Sequence, residues 1–112
     1  YVMTRGTVPP NPSELLNSKK NADLLRVLKA KYDVIIYDGV PCNGLPDSII
    51  MSKLVDKVLI VSSDSMTPKS VLESTKKQLE SVNAPIAGDV LNNVNRKNST
   101  YGKYYGYYGD SQ

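Results

Sequence analysis

The sequence predicts an α/β fold, and three observations carry that expectation. Three short apolar runs, Val34–Tyr37, Val58–Val61 and Ile86–Leu91, are rich in β-branched residues, the pattern of strands buried on both faces of a parallel sheet. The stretches between them place apolar residues at helical spacing. Strand and helix alternate at the rhythm of βαβ units with right-handed crossovers. The expected arrangement is a partial parallel sheet with flanking helices over residues 1–94, followed by a flexible tyrosine-rich tail over 95–112.

In chain order, Tyr1–Thr4 reads as the end of a further strand. In Asn11-Pro-Ser-Glu14, Asn11 is placed to cap a helix, Pro12 suits its first position, and Glu14 stands where a capping box needs it. Leu15 and Leu16 begin that helix. A second helix puts Leu24, Leu25 and Leu28 on one face and ends between Lys29 and Asp33, just before the run Val34–Tyr37. Pro46 introduces a short helix over Asp47–Leu54. Thr67-Pro68 repeats the cap-plus-proline signal ahead of a helix carrying Val71, Leu72, Leu79 and Val82, and Asn83-Ala-Pro85 stops it. From Asn95 the composition turns to Asn, Ser, Gly, Lys and Tyr without apolar periodicity, hence the expectation of a flexible tail.

Composition narrows the chemistry. A chain of 112 residues holds one domain, and no run approaches the roughly 18 apolar residues of a membrane-spanning helix. The single cysteine, Cys42, cannot form an intramolecular disulfide, and the absence of histidine excludes a Cys/His zinc site and a histidine-based triad. The net charge of +3 is too mild to indicate a partner. The chain opens on Tyr1 with no basic segment leading into an apolar one, and it is expected to be part of a longer protein.

Asp38 is the first candidate for chemistry. It follows Val34–Tyr37 and precedes Gly39-Val40-Pro41, and ligands of open α/β sheets sit beyond the carboxyl ends of the strands. An acid there can hold hydrated magnesium beside a nucleotide; it can equally be a turn former or a helix cap. The phosphate-cradling G-x-x-x-x-G-K-[ST] loop is absent. Gly39 and Gly44 have its separation, but Leu45 and Pro46 follow where Lys and Ser/Thr are required. A nucleotide served by Asp38 needs a phosphate loop from elsewhere.

The second candidate is Tyr101-Gly-Lys-Tyr-Tyr-Gly-Tyr-Tyr-Gly109, which holds Tyr101, Tyr104, Tyr105, Tyr107 and Tyr108. Tyrosines spaced by glycine are poor core material but accessible hydroxyls, suited to phosphorylation or to stacking on bases or sugars, or simply a low-complexity tail. Only Arg96, Lys97 and Lys103 are basic nearby, so nucleic acid is not expected as a partner. Asp47 reads as a helix cap rather than a ligand, and Cys42, with no basic neighbour in sequence, as structural or incidental. Asn92 and Asn93 end the last strand as turn residues, or one of them recognises a base through its amide.

These pieces together resemble the C-terminal part of the bacterial tyrosine kinases of capsular and exopolysaccharide synthesis, P-loop proteins related to the MinD/ParA ATPases. Gly6-Thr-Val-Pro-Pro-Asn-Pro-Ser-Glu-Leu-Leu16 is similar to that family's PPNPSELL motif. Tyr32-Asp-Val-Ile-Ile-Tyr-Asp-Gly-Val-Pro41 resembles its Walker B segment, with Gly39 and Val40 in place of the usual Thr-Pro. Asp47, the strand Leu54–Val61, Val90-Leu-Asn92 and the terminal tyrosines also match, so the resemblance covers essentially all of the chain. The Walker A and A′ motifs are not in it.

The resemblance implies a P-loop-type sheet and, for a parent chain, transfer of the ATP γ-phosphoryl to tyrosine, with the fragment alone inactive. Asp38 would orient Mg2+ and serve catalysis, Asn92 would contact adenine, and Tyr101, Tyr104, Tyr105, Tyr107 and Tyr108 would be phosphorylated in trans. Implied partners are a homo-oligomeric ring, a membrane activator or chain-length protein and a cognate tyrosine phosphatase; the implied place is the cytoplasmic face of the bacterial plasma membrane, through a partner protein. A MinD/ParA-type regulatory ATPase and a noncatalytic binding module with an aromatic tail are the alternatives.

Overall fold

The computed structural model describes residues 1–4, 6–42 and 44–94. The five-residue helix α1 (Pro12–Leu16) starts on Pro12, whose missing N–H costs nothing there. Asn11 holds the N-cap position without capping through its side chain; its Nδ2 donates to Glu14 Oε2 at 3.1 Å instead. The chain then turns into α2 (Lys19–Lys31), where Ser18 Oγ accepts from Asn21 N at 3.3 Å and donates to Leu15 O at 2.7 Å. Asn21 Nδ2 donates to Leu16 O at 2.7 Å, so two short polar side chains satisfy the backbone groups that the α1–α2 corner frees. Leu25 is the buried residue of α2.

Helix α3 (Asp47–Ser52) is shorter than the expected Asp47–Leu54. Strand β1 (Val58–Ser63), helix α4 (Lys69–Ser81) and strand β2 (Ile86–Asn92) follow. The two strands pair in parallel, Val58 with Ile86 and Ser63 with Asn92, with an irregularity between Val58 and Leu59. This βαβ unit meets the expected α/β parallel class. Thr67 does not cap α4. Pro68 holds that position, and Thr67 Oγ1 accepts from Ser63 N at 3.0 Å, tying the turn back to the end of β1. Asn83, at φ 55, reverses the chain after α4 in the left-handed conformation that asparagine tolerates.

Two expectations are corrected. Val34–Tyr37 is extended but forms no ladder among the described residues, and Val34 and Ile36 are 76% and 87% exposed. Its side chains still alternate, with Ile35 and Tyr37 half-buried, so it has the pleat of a strand without a neighbour to pair with. Tyr1–Thr4 likewise joins no sheet; the Tyr1 ring lies 5.5 Å from that of Tyr32. The second correction concerns β1, expected to be covered on both faces. Leu59 and Val61 are 62% and 67% exposed, whereas Val58, Ile60 and Ser62, which alternate with them, are half-buried or buried. Leu79, 1% exposed, is the buried residue of α4.

Candidate active site

A cleft of about 570 Å³ runs between the segment Tyr37–Cys42, strand β1 and the inner face of α4. Asp38 is among the residues that line it, directly after Tyr37. Tyr37 and Ser62 are also among its lining residues, and each buries a hydroxyl that has no hydrogen-bond partner among the described residues.

The first two residues of α3 fasten the loop that follows Asp38. Ser48 Oγ donates to the Val40 carbonyl at 2.6 Å. Asp47 Oδ1 accepts from Ser13 Oγ at 2.7 Å, which joins α1 to α3 across 34 residues of sequence. Asp47 was expected to cap; it sits inside the first turn of α3, after Pro46 at the cap position, and makes this cross-link. Cys42 is half-buried in the same cleft. Burial raises its thiol above the ordinary value of 9.0, and the neighbouring Ser48 hydroxyl pulls it partly back. Burial likewise raises the Tyr37 phenol, against a smaller opposing pull from Lys29. A protonated thiol is a poor nucleophile, in keeping with a structural or incidental Cys42.

Asn92 is not among the residues lining this cleft. It ends β2, where its carbonyl accepts from Asp64 N at 3.0 Å and its side-chain oxygen from Asn93 N at 2.8 Å. The turn role offered for Asn92 and Asn93 is visible in these bonds and in the positive φ of Asn93, 57°. Tyr101, Tyr104, Tyr105, Tyr107 and Tyr108 lie outside the described residues. Ser13 and Ser48 escaped the sequence reading, since a serine in a first helical turn signals a cap and not a reach to another element. Gly39 was the available signal, a glycine beside the candidate acid.

Among the described residues no group of three His, Cys, Asp or Glu side chains converges. Among the described residues Asp38 is then the carboxylate available to a metal at this place, and magnesium is commonly held on one or two carboxylates with water and phosphate completing its shell. The residues present fit that ion.

No protein-family model matches the chain. It is 33% identical over 110 residues to the tyrosine-protein kinase CpsD of Streptococcus pneumoniae, covering 98% of this chain and 48% of that protein. It is 34% identical over 108 residues to the tyrosine-protein kinase YwqD of Bacillus subtilis, covering 96% and 44%. The chain is a homologue of the bacterial tyrosine kinases. It spans about half the length of these curated relatives. Among solved structures, the kinase domain of VpsO superposes with a TM-score of 0.75 at 33% identity, covering 80% of this chain and 44% of that one. The kinase domain of the Escherichia coli tyrosine kinase ETK superposes with a TM-score of 0.78 at 32% identity, covering 85% and 37%. The described fold is thus that of a portion of a bacterial tyrosine kinase domain. Among the described residues no helix is long and apolar enough to cross a membrane.

Proposed function

We propose that the protein to which this chain belongs is an ATP-dependent protein-tyrosine kinase that regulates capsular or exopolysaccharide synthesis. The observation that carries the reading is the position of Asp38. It is a lone carboxylate at the end of an extended segment, lining a cleft, in a chain homologous to kinase domains. Bound magnesium would neutralise phosphate charge, in a transfer that depends mainly on positioning and electrostatics. Asp38 would orient that ion. Asn92 would meet the base from the end of β2.

In the proposed reaction a tyrosine Oη gains the γ-phosphoryl of ATP, its proton is released and ADP leaves. The acceptors are Tyr101, Tyr104, Tyr105, Tyr107 and Tyr108, presented by one subunit to its neighbour in a homo-oligomeric ring. A membrane activator or chain-length protein would hold the ring at the cytoplasmic face of the plasma membrane, and a cognate tyrosine phosphatase would reset it.

The test mixes full-length Asp38→Asn protein, bearing its tyrosines, with active protein whose five tail tyrosines are phenylalanine. Phosphotyrosine mapped to the cluster of the Asp38→Asn chain, with that chain alone slower than wild type by on the order of 10²-fold, is the expected result. Wild-type rates from Asp38→Asn alone, or phosphate confined to Tyr1, Tyr32 or Tyr37, would overturn it.

A further inference from the structure

We propose that Ser48 is a positioning residue for the Asp38 loop, and that Gly39 lacks a side chain in order to admit it. This rests on the reading of Asp38 given above and concerns how the protein holds that carboxylate in place.

A Cβ built on Gly39 would stand 2.8 Å from Ser48 Oγ, closer than such carbons approach a neighbour, and 3.7 Å from Ser48 Cβ, an ordinary contact. Gly39 is not among the residues with positive φ. Its backbone suits any residue, so space and not conformation calls for glycine there. The Ser48 hydroxyl that fills the space donates to the carbonyl of Val40, two residues beyond Asp38. Ser48 in turn is fixed at its root. It belongs to the first turn of α3, where Ile50 N donates to Pro46 O at 2.9 Å, and the adjoining Asp47 is held by Ser13 of α1. One hydroxyl thereby pins the end of a segment that joins no ladder among the described residues to a helix that is anchored from its other side. Gly39 and Ser48 therefore form a matched pair.

A side chain at position 39 must turn the Ser48 hydroxyl away and so break its bond to Val40. Gly39→Ala and Ser48→Ala consequently damage the same contact, and with the hydroxyl removed the alanine at 39 meets only the ordinary 3.7 Å contact. The experiment uses the full-length protein in four forms: wild type, Gly39→Ala, Ser48→Ala and the double variant. Two readouts are taken, the magnesium concentration for half-maximal phosphorylation at saturating ATP and the hydrogen exchange of the amides of Asp38, Gly39, Val40 and Cys42 within segment 38–42. Both single variants are expected to raise the magnesium requirement about fivefold, the equivalent of one ordinary hydrogen bond, and to speed exchange in 38–42. The double variant is expected to match Ser48→Ala and not the product of the two singles. Unchanged exchange in Ser48→Ala, or multiplied effects in the double variant, would overturn the pairing. Faster exchange with an unchanged magnesium requirement would overturn the positioning role, provided Asp38→Asn shifts that requirement. If Asp38→Asn leaves it unchanged as well, the metal reading of Asp38 falls, and faster exchange still supports the fastening of the loop by Ser48.

Discussion

Ser13 and Asp47 show how much a single polar contact can carry where helices are short. Helix α1 has five residues and no buried side chain, and the Ser13–Asp47 bond is its side-chain hydrogen bond to α3. Ser13→Ala is expected to lower unfolding stability by about 1–2 kcal/mol, since it strands a part-buried carboxylate acceptor, and Asp47→Ala should add little to it. A urea melt of both singles and the double checks this. Cys42 and Tyr37 set the alkaline limit. Burial raises both above their unfolded values, so the native state favours the protonated forms; their contribution is complete below those values and is lost as pH rises through the folded ones. The urea midpoint should hold level between about pH 7 and 8 and fall above about pH 9. A Cys42→Ala/Tyr37→Phe variant should flatten that fall, and an unchanged curve would assign it to other groups.

At the scale of elements, what was legible in the sequence is what local chemistry decides. The β1–α4–β2 unit was readable because its punctuation is strong: Val58–Val61 is rich in β-branched residues, Pro68 opens the helix, and Asn83 and Pro85 close it. Caps were less legible. Asn11 and Thr67 have cap chemistry, yet each spends its side chain elsewhere, on Glu14 and on Ser63 N, because a nearer partner competed. Val34–Tyr37 has the composition of a strand, but pairing depends on a neighbour that composition cannot report. The Asp38 position was legible for that reason, and the contacts that hold it, from Ser48 and Asp47, were not. Leu79 is the element-scale test. As the most buried side chain of α4, Leu79→Ala should cost about 3 kcal/mol in a denaturant melt, whereas Val71→Ala, only half-buried, should cost about 1 kcal/mol.

For the whole molecule the balance of covered and uncovered apolar surface matters most. Leu25 and Leu79 are the fully buried apolar residues described, while Val34, Ile36, Leu59 and Val61 face outward on strand-like backbone. Exposed β-branched residues beside unpaired backbone invite association. Residues 1–112 alone should therefore self-associate as concentration rises, and Ile36→Lys with Val61→Lys should shift sedimentation toward monomer; a monodisperse wild type at high concentration would contradict this. The parallel pairing of Val58 with Ile86 also bears on the order of assembly. Its loop of about 30 residues is spanned by a helix that forms locally, so β1, α4 and β2 can condense into a folding nucleus at small entropic cost. Val34–Tyr37 has no such local closure. Until its exposed Val34 and Ile36 are covered, that segment is where a chaperone has most to hold.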